Sequence, residues 1–331
     1  MSRLDAAPEE AETPVSCDGP RADLYDAREV PLGGLRAMEV RRALPQRPLP
    51  TVGAWCFLDR FGPQQAVMRV EPHPHIGLQT VTWPYSGEIR HRDVLGSDVV
   101  ITQGSLNLMT SGRGIAHSEY SVGEDAMLLD ALQLWVALPD SRRHGEPAFE
   151  KHDDLPQVHL PAGDHGTGDE STAAVTVVLG AFAGVRSPAS VYTPIVGAEV
   201  RLPAGRRVRL PLEAAWEYAI IPVTGEVIVE ADPTTVAAPD QLLYLGIGRD
   251  GIEVAAEQDT TLFLIGGEPF EAELVMWWNF VGRTHEEIAQ AREDWANEDP
   301  RFGGRIVGHG DERVPAPPMP NVRLTPRKRR P

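Results

Sequence analysis

Pro72-His73-Pro74-His75-Ile76-Gly77 opens, and Gly112-Arg113-Gly114-Ile115-Ala116-His117-Ser118-Glu119 closes, the stretch of sequence on which the fold reading turns. His-x-His and His-x-Glu each place two donor side chains two residues apart. Along an extended strand the side chains alternate faces, so residues i and i+2 point the same way. If the two strands are neighbours in a barrel, three imidazoles and one carboxylate converge on one point. A lone His-x-His is ordinarily surface or loop chemistry. Followed by strand patterns, a glycine turn and His-x-Glu, it reads as a metal site formed by His73, His75, His117 and Glu119.

The donor types narrow the ion. Imidazole suits Fe, Zn, Cu and Ni, and an added carboxylate shifts the set towards harder divalent ions. Structural zinc is more often closed by thiolates in a four-coordinate shell. One Fe(II) per chain is the first choice, with Mn, Ni and Cu behind it.

Outward from this stretch the chain reads as β-structure. Val52 to Leu58, Gln79 to Trp83, Ile89 to Val94, Val99 to Ile101, Ser105 to Met109 and Leu132 to Leu138 are short apolar or alternating runs. Gly, Pro and Ser separate them, the pattern of an all-β sandwich or closed barrel. From Ala174 the pattern resumes through Val175–Leu179, Ala198–Leu202, Val208–Leu210, Glu217–Pro222, Glu226–Glu230, Leu242–Leu245 and Thr260–Ile265. This second half reads as a barrel of similar size, which suggests an internal duplication. No histidine occurs between residues 166 and 284, so the second barrel cannot repeat the first barrel's site. One helix stands out. Thr284 and Glu287 form a capping box, Ile288, Ala291 and Trp295 share a face, and Pro300 stops the run.

These boundaries predict residues 1–20 as a disordered acidic tail, 21–139 as the metal-binding barrel and 140–170 as a linker. Residues 171–300 are then the metal-free barrel plus helix, and 301–331 a Pro-rich basic tail, solvated and disordered. The linker's histidines, His144, His152, His159 and His165, show no close same-face pair and read as solvated. The cluster Arg327 to Arg330 has the form of a nuclear-localisation or polyanion-binding motif, but reads as part of the solvated tail.

The 331 residues suffice for two domains, and 42% hydrophobic with 24% charged residues is ordinary for a globular chain. A formal net charge of −17 argues against a general nucleic-acid surface. Cys17 and Cys56 have no metal or redox spacing, the start carries no apolar signal region, and no apolar run is long enough to span a bilayer. The expectation is a cytoplasmic protein that binds neither membrane nor nucleic acid directly.

Several segments together resemble the pirin family of the cupin superfamily. They are Pro72 to His75, Gly87-Glu88 with His91-Arg92-Asp93, and Met109 to Glu119. Leu132 to Val136, Gly266-Gly267-Glu268-Pro269, and Phe280-Val281 with Glu286-Glu287-Ile288 complete the set. The resemblance covers roughly Asp26 to Asn297. It implies two tandem cupin β-barrels (a bicupin), one Fe(II) in the first held by His73, His75, His117 and Glu119, and a second barrel without metal. Some family members oxidise the flavonol quercetin with O₂, and others act as metal-dependent partners of other proteins.

Two functions follow as expectations. The first is a quercetin 2,3-dioxygenase-like enzyme acting on a small aromatic, enolic substrate and O₂, with Glu119 as metal ligand and catalytic base. The alternative is a redox-gated regulatory module that binds a protein partner through the iron barrel. His91 and Asp93 share a strand face and either orient a ligand or form a plain polar pair. The chain departs from the family pattern at Gln79, at Gly104-Ser105 and around Trp277-Trp278-Asn279.

Overall fold

The computed structural model describes residues 19–32, 38–163 and 172–327, and the side chains of 31–32 are left aside. Most of residues 1–20, with Cys17, and the residues His165 and 328–331 lie outside that range. The architecture is all-β in two barrels, with one α-helix, His285–Ala296, near the C-terminus.

Two sheets build the first barrel. The larger has the strand order Ala148–His152, Leu106–Thr110, Leu78–Ser86, Met127–Ala137, Trp55–Ala66, Met38–Leu44, Arg28–Leu32. The smaller runs Arg69–His75, Ile115–Ser121, Ile89–Asp93, Asp98–Ile101. Residues directly opposite on paired strands share a face, so the register divides the larger sheet cleanly. One row, Leu44, Leu58, Leu134, Val81 and Leu108, belongs to a buried core shared with Val178, Leu179, Ile221, Phe263 and Ile265 of the second barrel. Each such side chain contributes about 1.5–3 kcal/mol when fully buried. The next row, Arg42, Asp59, Gln133, Thr82, Asn107 and Lys151, is polar and lies on the opposite face, towards the smaller sheet. The alternation that makes these strands therefore also sorts an apolar interdomain face from a polar interior.

The second barrel is one long curled sheet with the order Pro20–Asp26, Gln241–Gly246, Glu217–Thr224, Thr260–Gly267, Ile195–Leu202, Thr172–Phe182, Gln157–Gly163, Arg206–Pro211, Gly251–Ala256, Val227–Val229, Thr235–Ala237. Its interior is filled by aliphatic side chains such as Val175, Val200, Leu210, Ile220, Val254 and Leu264. Trp55 ties the barrels together. Its indole Nε1 donates to the Val196 carbonyl at 3.0 Å and to the Gly266 carbonyl at 3.2 Å.

The structure corrects the boundaries expected from sequence at both ends and in the middle. The segment read as a linker contains two strands. Ala148–His152 pairs with Leu106–Thr110 in the first barrel, and Gln157–Gly163 pairs with Thr172–Phe182 in the second. The charged, half-buried side chains of the first and the proline and exposed residues of the second weakened the period. The strand Pro20–Asp26, assigned by position to the first barrel, pairs instead with Gln241–Gly246 of the second. The C-terminal segment read as a solvated tail packs down over the described residues 301–327. Phe302, Ile306, His309 and Leu324 are buried, and the Val314 amide donates to the Pro72 carbonyl at 2.8 Å.

The helix follows its sequence signals. Thr284 Oγ1 accepts from the Glu287 amide at 3.2 Å, and Ile288, Ala291 and Trp295 are its buried residues. The reach-back of Glu287 goes one residue further than a standard capping box, to the Arg283 amide at 2.8 Å. No helix among the described residues is long and apolar enough to cross a membrane.

Candidate metal centre

The strand Ile115–Ser121 is the middle of the site. His117 stands opposite His73 on one flank and opposite Asp93 on the other, while Glu119 stands opposite His91. Ile115 stands opposite His75. Sharing of faces between opposed residues thus turns all of these side chains to one side. A bulge between His117 and Glu119 gives Arg69–His75 one extra residue there. Bulges near functional sites re-aim side chains. Here the Glu71 carbonyl, inside the bulge, meets the His73 Nδ1 at 2.9 Å.

The turns that deliver the two ligand strands are fixed to each other. Gly77 has φ 70° and Gly112 φ 50°, and the Gly77 amide donates to the Gly112 carbonyl at 3.0 Å. A Cβ on Gly77 would lie 2.0 Å from the Val281 carbonyl oxygen. Only glycine meets both the positive φ and that approach.

His73, His75 and His117 bring ring nitrogens within 4.8 Å of one another, and a second group does the same with ring nitrogens of His91 and His117 and a carboxylate oxygen of Glu119. His117 belongs to both. Of the four residues named from sequence, the three histidines therefore meet as one cluster, and Glu119 groups with His117 and His91. The sequence left His91 outside the donor set, yet it is fully buried and its ring stacks on Phe149 at 4.5 Å.

Hydrogen bonds orient the rings. His75 Nδ1 lies 3.1 Å from the Asn279 carbonyl, as His73 Nδ1 lies beside that of Glu71. A carbonyl only accepts, so both Nδ1 atoms carry the proton and both Nε2 atoms present a lone pair. His117 Nε2 is buried with no hydrogen-bond partner. A buried nitrogen in that state calls for an explanation, and a cation supplies one.

Burial is the main cause that drives His73 down to about 4, and it holds His75 and His117 well below the usual histidine range. Mutual repulsion among the rings adds to the lowering at His75 and His117. All three are neutral imidazoles near neutrality, the form that binds metal. Burial pushes the Glu119 carboxyl up, partly offset by His91 and by the Thr82 hydroxyl, which donates to Oε1 at 3.3 Å. Burial also pushes on Asp93, but hydrogen bonds from His91 and Ser97 outweigh it and leave this carboxyl below its usual range.

Around the donors the interior is mixed. Trp135 meets His75 edge-on at 5.3 Å and stacks on Phe57 at 4.0 Å. Thr82 lies 3.0 Å from Gln133 Oε1, and the buried Asn107 Oδ1 has no partner. Gln79, a departure from the family pattern, donates to Thr110 Oγ1 at 3.0 Å and to the Ser190 carbonyl, so it serves the sheet rather than the donors. The departing segment around Trp277-Trp278-Asn279 reaches the site, since Asn279 supplies the carbonyl that orients His75. No sequence signal could have found Asn279 or Glu71 as partners, because any residue offers the same backbone oxygen.

Comparison with known proteins shows the family. The family model described as Pirin matches residues 37–136, and that described as the Pirin C-terminal cupin domain matches residues 197–303. A protein of Pseudomonas aeruginosa, provisionally named a quercetin 2,3-dioxygenase, is 41% identical over 298 residues, 89% of each chain. A pirin-like protein of Caulobacter vibrioides is 34% identical over 82% of this chain and 92% of its own length. The crystal structure of a quercetin 2,3-dioxygenase from Acinetobacter baumannii superposes with a TM-score of 0.84 at 36% identity, covering 93% of this chain and 98% of that one.

Proposed function

The chain belongs to the pirin family of two-barrel cupins, and on that premise we propose that it is an iron-dependent dioxygenase acting on a flavonol or related enolic aromatic substrate. The observation that carries the reading is the buried cluster of neutral His73, His75 and His117, with the His117 Nε2 left without a partner. The quercetin dioxygenase names of relatives at 41% and 36% identity support the substrate class.

The donor types fit a divalent iron, which His73, His75 and His117 would hold through Nε2, with the Glu119 carboxylate, grouped with His117, as the fourth donor. Such an ion supplies a Lewis acid for the substrate's enol oxygen and an electron path to O₂. The chain's residues do the rest. Glu119 accepts the proton of the enol hydroxyl, and Thr82 holds the carboxylate through Oε1. Trp135, stacked on Phe57, forms an aromatic wall edge-on to His75.

The test is O₂ uptake by iron-loaded protein given quercetin, with metal content measured on the same sample. Uptake that requires iron and flavonol, and is lost in His117→Ala and Glu119→Ala, supports the reading. Stoichiometric iron without uptake would count against an oxygenase and for a non-catalytic binding role.

A further inference from the structure

His117 Nδ1 lies 3.3 Å from His91 Nδ1, and His91 Nε2 lies 3.1 Å from Asp93 Oδ2. Asp93 Oδ1 accepts from the amides of Leu95 at 2.8 Å and Ser97 at 3.0 Å. One arrangement of protons satisfies all of these contacts. A carboxylate accepts only, so His91 carries its proton on Nε2 and donates it to Asp93. With its one proton on Nε2, His91 shows a lone pair at Nδ1. Two facing ring nitrogens hold one proton between them, so His117 carries its proton on Nδ1 and donates to His91. The His117 Nε2 is left as a bare lone pair, and that is the atom buried without a partner. Phe149, stacked on His91 with an interplanar angle of 16°, keeps the relaying ring from turning.

We propose that Asp93 and His91 are positioning residues that fix His117 as its Nδ1–H tautomer and so present its Nε2 to the metal beside those of His73 and His75. Backbone carbonyls do this for the other two histidines. His117, in the middle strand, has both flanks occupied by strand pairing and uses side chains instead. The inference rests on the metal reading of the site but not on the identity of the substrate.

Asp93→Asn tests it with almost no change of shape. The amide oxygen can keep the bonds from Leu95 and Ser97, which turns the NH₂ towards His91 Nε2. His91 must then carry its proton on Nδ1, and His117 is forced into the wrong tautomer. The probe is Co(II) alone, read by its dissociation constant and by the hyperfine-shifted, exchangeable imidazole N–H signals in proton NMR. Wild-type protein should bind one cobalt and show three such signals. Asp93→Asn and His91→Phe should each weaken cobalt binding about 10- to 100-fold. Each should also lose or displace one signal of the three, while the metal-free proteins keep their circular dichroism. His91→Gln, whose carbonyl oxygen can accept from His117, should recover most of the affinity.

Three unchanged signals at wild-type affinity in Asp93→Asn and His91→Phe would overturn the relay and leave the metal site standing. A second cobalt bound by wild-type protein and lost in His91→Phe would also overturn it, because His91 would then be a ligand. Failure of wild-type protein to bind cobalt at all would sink both the relay and the metal reading.

Discussion

His309 Nε2 lies 2.7 Å from Ser118 Oγ, so a residue from the end of the chain grips the strand between His117 and Glu119 from behind. The His309 ring also meets Tyr120, edge-on at 5.0 Å between centroids, and the Tyr120 hydroxyl donates to the Glu71 carboxylate. His117 and Glu119 face inwards while Ser118 and Tyr120 face this strap, as strand alternation requires.

His309→Ala should therefore loosen a ligand strand without touching a donor. Leaving Ser118 and Tyr120 short of a partner costs about 1–3 kcal/mol. Thermal unfolding of the metal-free protein should show a lowered midpoint, and a chain ending at Gly304 should lose more. Midpoints equal to wild type in both would show that the strap carries no stability.

The buried histidines predict acid sensitivity. An unfolded histidine titrates near 6.5, and burial lowers His73 to about 4 in the fold. A depressed pKa contributes stability that is fully present above about pH 6.5 and is lost as pH falls towards 4. His73 alone accounts for about 3 kcal/mol across that window. The metal-free protein should unfold more easily at each step from pH 6.5 to 4, and His73→Gln should flatten that slope. A slope unchanged by the substitution would assign the sensitivity elsewhere.

Trp55 bridges the barrels through two carbonyls and buries its ring against Gly197, where an added Cβ would lie 3.0 Å from Cζ2. Trp55→Ala should cost about 3–5 kcal/mol. It should also uncouple the halves, turning one denaturant transition into two. A single transition with the wild-type midpoint would mean that the apolar rows alone hold the barrels together.

Gly77→Ala places a methyl where the Val281 carbonyl already stands, at a φ that alanine avoids. The turn after His75 must shift, and with it the ring. We expect cobalt affinity to fall at least tenfold, a direction set by the fixed tautomers of the ligands. Wild-type affinity would show that the turn can relax without moving His75.

The sequence carried most of the architecture because alternation writes both the strand and its buried face. His-x-His and His-x-Glu were legible for the same reason, since i and i+2 share a side. Gly251–Ala256 also alternates, with Ile252, Val254 and Ala256 buried, and passed unnoticed only because its inward residues are few. Gln157–Gly163 alternates as well, with Val158, Leu160 and Ala162 turned to the core, but Pro161 and its half-exposed inward side chains weaken the signal. Other features had no local signature. His309 lies among glycines and prolines with no period, and its burial depends on Ser118, remote in sequence. The pairing of Pro20–Asp26 with the second barrel is likewise a property of the assembled chain. His91 and Asp93 could be placed on one strand face from sequence, but their link to His117 needed the neighbouring strand.

The chain thus closes each half with the other's end: its first described strand completes the second barrel, and its last segment braces the first. A ribosome releases the ligand strands well before Asn279, which orients His75, and before His309, which braces their backs. Domains of nascent chains ordinarily fold as they emerge. Here parts that hold the first half's donors lie far downstream of the ligand strands, so the candidate site is complete only once Asn279 and His309 have joined it. A chain cut before Asn279 would lack both the carbonyl that orients His75 and the strap behind His117 and Glu119.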